Sequence, residues 1–304
     1  MLIYNIQKQK VKDDVRKSND DLYFKLFISG VVLTILSWIF AWGRFASLYE
    51  YTFFPLWLGL IITINGFSGL LLHDSLLSRM NSNFLFLFLV SIPFWWFFEL
   101  LNLHTQNWRY IGPELFKPTE YFLRASISFS TVVPAILSVS FLVYGILRRI
   151  RPITGKKIKI NPFFLFTLGI IALLLIFFVP NLSYPLVWVT LFLLVDPLNY
   201  SLGLPSFLNL IRQGKWTIPI SVAAASLFTG FWWELWNFYS LPKWTYSVPY
   251  LGFFKIFEMP ILGYIGYLTF GLEVYSFTSL SFGILKKLFG IRLNNELYNL
   301  EHEV

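Results

Sequence analysis

The sequence predicts an all-α, polytopic membrane protein of about eight transmembrane helices, built as two parallel four-helix repeats with both termini cytoplasmic. Three observations carry this expectation: apolar blocks long enough to cross a bilayer, basic residues concentrated in alternate loops, and a motif that occurs twice.

Hydrophobic residues make up 56% of the 304-residue chain and aromatic residues 20%, against only 13% charged, well outside the soluble range. A window of about 19 residues places spans at 26–42, 52–72, 84–103, 121–147, 162–179, 184–201, 217–239 and 256–285. The implied division is a basic N-terminal arm (1–25), a first repeat (26–147), a basic linker (148–161), a second repeat (162–285) and a C-terminal tail (286–304). The first 25 residues are too charged for a cleaved leader, so the first span is expected to stay as a signal anchor.

The net charge of +8 raises the possibility of a nucleic-acid partner, and the placement of the charge argues against it. With the N-terminus inside, 18 of the 24 Lys and Arg fall on the cytoplasmic side, in the arm, the linker, the tail and two further loops. Arg44, Arg109, Lys117, Lys243 and Lys255 fall outside, and Arg124 lies near the start of the fourth span. That distribution follows the positive-inside rule and reports topology. Membrane lipids are the expected surroundings, and an inner (plasma) membrane the expected location.

The stretch FFELLNLHTQNWRYIGP (97–113) has a later counterpart in FWWELWNFYSLPKWTYSVP (231–249). Glu99 aligns with Glu234, Asn102 with Asn237, Trp108 with Trp244, Tyr110 with Tyr246 and Pro113 with Pro249. Upstream, FPLWLGLIITIN (54–65) resembles YPLVWVTLFLLVD (184–196), which makes an internal duplication the natural reading. Four spans per copy is an even number, so both copies enter the membrane in the same direction, and sites in such proteins form at the repeat interface.

Glu99 and Asn102 are three residues apart, as are Glu234 and Asn237, so each pair shares a helix face. A carboxyl within a span costs about 2.5–3.5 kcal/mol near the helix centre, and a cost met twice at equivalent places needs an offset. One offset is structural: each Glu bonds its Asn, the following Trp or the following Tyr and pins the loop. The other is functional: the two carboxyls face each other beneath an aromatic lid made by Trp108, Tyr110, Trp244 and Tyr246 and donate protons where water is scarce.

Among the remaining polar residues, Glu120 with Arg124 and Lys255 with Glu258 read as local ion pairs at the starts of the fourth and eighth spans, where they can also meet a lipid headgroup. Asn65 and Asp196 occupy equivalent points and read as packing contacts. Glu273, deep in the last span, is a further candidate for the same cavity.

Cysteine is absent and the three histidines are scattered, which argues against thiolate, disulfide, haem and zinc chemistry. No GxxxxGK[ST], GxSxG, HExxH or DDxxD is found. The expected site needs neither metal nor cofactor.

The order of signals, an aromatic-flanked acid, then WxY, then a proline with an acid beside it, resembles the small integral-membrane lycopene cyclase family. The matching positions are Glu99, Trp108, Tyr110 and PTEY (118–121) in the first half, and Glu234, Trp244, Tyr246 and FEMP (257–260) in the second. That family carries two adjacent acids after the proline, whereas Glu120 stands alone here and Glu258 precedes Pro260. The resemblance implies a cofactor-free isomerisation in which a carboxylic acid protonates a terminal double bond of an isoprenoid and aromatic faces stabilise the carbocation. A small-solute or proton-coupled transporter, and a non-catalytic structural membrane protein, are the rival readings.

Overall fold

The computed structural model describes residues 2–112, 114 and 116–289; Pro113, and the tail residues 290–304 with Arg292 and His302, lie outside the described residues. The chain is mainly helical, in the order α1 (Leu2–Gly43), α2 (Phe53–Leu72), α3 (Leu76–Met80), α4 (Leu85–Thr105), β1 (Trp108–Ile111), α5 (Pro118–Phe129) and α6 (Val132–Ile150). There follow α7 (Pro162–Phe178), α8 (Pro180–Ser183), α9 (Val187–Ser201), α10 (Phe207–Gln213), α11 (Thr217–Tyr239), β2 (Lys243–Tyr246), β3 (Lys255–Ile256), β4 (Met259–Pro260) and α12 (Tyr264–Phe289).

Among the described residues, seven helical stretches are long and apolar enough to cross a membrane: 18–43, 53–72, 76–105, 118–150, 180–201, 217–239 and 261–288. The expected fifth span is the apolar helix Pro162–Phe178, at 17 residues the short member of the set. The expected eighth span starts later than the sequence suggests. Residues 255–260 form the β3–β4 hairpin, with Phe254 and Phe257 at positive φ, so the helix begins only at Tyr264. At the other end α1 runs unbroken from Leu2, so the expected arm and the first span are one helix.

Helix boundaries follow local chemistry. Asn161 accepts the Phe163 N–H and Pro162 opens α7, a position where its missing N–H costs nothing. Ser75 and Ser206 cap the short α3 and α10, and Gly214, at φ 79°, ends α10 in the left-handed region. Asn65 Oδ1 accepts the Leu77 N–H at 2.8 Å, while Asp196 accepts from Phe207 at 2.8 Å and Leu208 at 2.9 Å. Ser138 accepts from Asn65 at 2.9 Å, and Ser276 donates to Asp196 at 3.1 Å. Both buried polar side chains are thus spent holding a short helix against the bundle, the packing role expected of them.

The packing is a ring of four helices, α4, α6, α11 and α12, each touching the next. On one flank α2 packs on α6 and α1 on both α2 and α11; on the other, α9 packs on α12 and α7 on both α9 and α4. The α1–α2 crossing is close: a Cβ on Gly30 would lie 2.8 Å from the Gly59 carbonyl oxygen and one on Gly59 only 2.7 Å from the Thr34 N. Small residues let the backbones approach where lipid gives no hydrophobic drive to association. Large apolar side chains such as Leu36, Leu89, Leu100, Phe163 and Phe178 remain exposed on the outside, as a lipid-facing surface requires.

Candidate functional site

The site is built at the ends of α4 and α11, where the two motif copies meet. Asn102 uses its whole amide on the chain that follows its helix: Oδ1 accepts the N–H groups of Asn107 at 2.8 Å and Trp108 at 3.2 Å, and Nδ2 donates to the Trp108 carbonyl at 2.9 Å. Asn237 does the same for Trp244, accepting its N–H at 2.9 Å and donating to its carbonyl at 2.8 Å. Each Asn therefore acts as a strand partner for the first residue of WxY or its equivalent.

Held in this way, β1 and β2 pair antiparallel, Trp108 opposite Tyr246 and Tyr110 opposite Trp244. Directly opposed residues, and residues two apart, project from the same face of a ribbon. All four aromatic side chains consequently point one way, and all four line one cavity of about 130 Å³. Trp95 and Trp233 also line it, stacked at 5.0 Å, as does Trp188, 5.6 Å from Trp108. Phe53, Phe116, Tyr121, Phe129, Tyr267 and Phe270 complete the aromatic wall, and Glu50, Arg124 and Lys243 supply its charged part.

Neither acid lines this cavity; each lies behind it, joined to it through phenols. Glu99 Oε1 accepts from Tyr110 at 2.6 Å, from the Trp95 indole at 2.9 Å and from the Trp108 indole at 3.2 Å. Glu234 is fully buried, and its Oε1 accepts from Tyr246 and Tyr267, both at 2.7 Å, while Tyr246 in turn accepts from the Trp244 indole at 2.9 Å. Its Oε2 is buried without a hydrogen-bond partner. Burial first, and the adjoining Glu99 second, hold the Tyr110 phenol well above its ordinary pKa; burial and Glu234 do the same for Tyr246. Both phenols thus stay protonated and able to donate.

Tyr267 was not among the expected residues. Four residues before Glu99 stands Trp95; four before Glu234 stands Gly230, where a Cβ would lie 2.5 Å from the Tyr267 ring. The missing side chain makes the space in which Tyr267 replaces the indole as donor. Gly230 was the available signal. Trp233 flanks Glu234 in the repeated motif and Trp188 lies in the repeated upstream stretch, yet neither they nor Trp95 stood out as site residues, because tryptophan near span ends is ordinary in membrane proteins.

The other expected residues divide. Arg124 binds Glu120 at 2.7 Å, as anticipated, and stands 3.6 Å from Glu50, which joins it on the cavity wall. Glu258 pairs with Lys243 at 2.5 Å and not with Lys255, because Lys255 lies in the hairpin, with no helix there to bring the two together. Glu273 is fully buried at the contact of α9 with α12, where it accepts the Leu191 N–H at 3.1 Å, and it lines neither large cavity. The second cavity, of about 450 Å³, adjoins the first and shares Trp108, Trp188 and Tyr246 with it.

Chemically, the arrangement can pass a proton from a buried carboxyl through a phenol to an apolar molecule in an aromatic cage, and ring faces can stabilise the positive charge that results. Among the described residues no group of three His, Asp or Glu is placed to hold a metal ion. Compared with known proteins, the chain matches no family model, no curated protein and no solved structure.

Proposed function

We propose that the chain is a duplicated, eight-span inner-membrane protein with cytoplasmic termini that carries out a cofactor-independent, acid-catalysed isomerisation of an isoprenoid. The observation that carries this reading is the antiparallel pairing of the two WxY copies, which aims four aromatic side chains into one cavity with an acid behind each phenol, Glu234 fully buried and Glu99 partly so. The matched neighbour relations of the two chain halves support the duplication, since α4, α6, α2 and α1 have counterparts in α11, α12, α9 and α7.

In the reaction, Glu99 or Glu234 gives its proton through Tyr110 or Tyr246 to one carbon of a double bond, leaving a tertiary carbocation within the cage. A neighbouring double bond attacks that cation to close a ring, and loss of an adjacent proton to the carboxylate restores the acid. No atom is gained or lost overall, so no redox partner is needed. Water exclusion by the indoles protects the cation from capture.

A structural reading has its own support, because Glu99 collects three donors on one oxygen and both Asn residues fix the ribbon. Mass spectrometry of lipids that co-purify with wild type and with the Glu99→Gln/Glu234→Gln protein separates the two. Catalysis predicts an isoprenoid enriched in one and altered in the other, with normal expression of both. Bulk phospholipid alone in both would remove the isoprenoid, and loss of folded protein in the variant would support the structural role.

A further inference from the structure

The second cavity takes no part in the reaction as described, yet its wall is continuous with the first through Trp108, Trp188 and Tyr246. Val248, Leu251, Leu262 and Ile265 dominate its lining, with no charged residue. Its hydroxyls are already occupied: Tyr184 donates to the Pro249 carbonyl at 3.0 Å, Thr269 to Gly266 at 3.0 Å and Tyr246 to Glu234 at 2.7 Å. The Asn107 amide is the exception: it is buried in the wall with neither its oxygen nor its nitrogen hydrogen-bonded, while the rest of the lining is apolar or satisfied. This space suits a hydrocarbon chain.

The first cavity differs in having a polar side. Arg124 is held between the rings of Tyr51, 4.0 Å away, and Phe116, at 4.2 Å. Its Nε and Nη2 bind Glu120 at 2.9 and 2.7 Å, while Nη1 faces Glu50 at 3.6 Å without a hydrogen bond. Lys243 lines the same cavity and is paired with Glu258 at 2.5 Å. Both cations are paired with acids, so the open polar valence is the Arg124 Nη1, which an all-hydrocarbon ligand would leave facing apolar carbon without a hydrogen bond, a costly juxtaposition.

We propose that the two cavities hold one ligand, a single-chain isoprenoid bearing an oxygen at one end. The oxygen lies in the first cavity beside Arg124, the chain passes between Trp108, Trp188 and Tyr246, and its apolar end fills the second cavity. The double bond presented to Tyr246 then lies along the chain, away from the polar end. This rests on the site proposed above for its location but concerns binding, and binding can be measured without turnover.

The test is tryptophan-quenching titration of the full chain in lipid nanodiscs with geraniol, geranylgeraniol and the hydrocarbon matching geranylgeraniol without its hydroxyl. The expected result is binding of geranylgeraniol about tenfold tighter than either of the others, a difference of about 1.4 kcal/mol. A Cβ on Gly266 would stand 3.4 Å from Trp188, so a larger side chain enters the second cavity without clashing at its base. Gly266→Leu should bring geranylgeraniol down to the geraniol level and leave geraniol unchanged, with Gly266→Ala as the folding control. Arg124→Gln should erase the advantage of the alcohol over the hydrocarbon and keep the length preference. Equal wild-type affinity for the short and long alcohols, for the alcohol and the hydrocarbon, or a folded Gly266→Leu protein that retains the length preference would each overturn the proposal. Tight, length-dependent binding without any chemistry would keep this inference and defeat only the catalytic reading.

Discussion

Glu99 and Glu234 perform the same task with different neighbours, and the difference shows how much a single position can carry. The indole that donates directly to Glu99 has its counterpart, Trp244, one bond removed, donating to Tyr246 instead. The vacancy at Gly230 admits Tyr267 in exchange. Glu, Asn, Trp and Tyr of each copy were legible in the sequence because the motif is repeated at matching spacing. Tyr267 was not, since its role depends on a void on another helix. The raised phenols of Tyr110 and Tyr246 predict a one-sided pH response. Below about pH 10, the ordinary tyrosine value, folded and unfolded chains both keep these protons. Above it the unfolded chain releases them and the folded chain does not, so unfolding is favoured as pH rises. Thermal unfolding in detergent should show stability flat with respect to these groups up to about pH 10 and a decline beyond it that is reduced in the Tyr110→Phe/Tyr246→Phe protein.

At the scale of elements, the decisive feature is a two-stranded ribbon that no hydropathy profile reveals. Four-residue strands between long spans carry too little alternation to be read, and pairing between residues so distant in sequence leaves no local trace. The same blindness placed Lys255 with Glu258 on a helix, where the chain in fact makes a hairpin with Phe257 at positive φ. What holds the ribbon to the bundle is Asn102 and Asn237. Removing either amide leaves buried backbone N–H and C=O groups unsatisfied, at about 1–3 kcal/mol per group. Asn102→Ala and Asn237→Ala should therefore lower the unfolding temperature, whereas Asn209→Ala, at an exposed position in the first turn of α10, should leave it nearly unchanged. Differential scanning fluorimetry in one detergent suffices to compare them.

For the whole molecule, the apolar blocks announced the membrane class and the long apolar helices, because every backbone group in lipid must be satisfied within a helix. The ring of α4, α6, α11 and α12 was not announced, since lipid-facing and bundle-facing residues are equally apolar. The absence of native cysteine makes the proposed topology directly measurable. Single cysteines at Gly155 and Gly203 should react with an impermeant maleimide only after the membrane is opened, while cysteines at Glu114 and Gly252 should react in intact cells; the reverse pattern would invert the molecule. The central claim, that carboxyl-backed phenols protonate a bound isoprenoid, is tested most directly by incubating the protein in liposomes with an acyclic isoprenoid in D₂O and measuring deuterium in the recovered lipid by mass spectrometry. The account predicts incorporation by wild type and a loss of at least about 100-fold, the scale of general acid catalysis, in a folded Glu99→Gln/Glu234→Gln protein. Equal incorporation by the two, or none by wild type with an isoprenoid shown to bind, would contradict it.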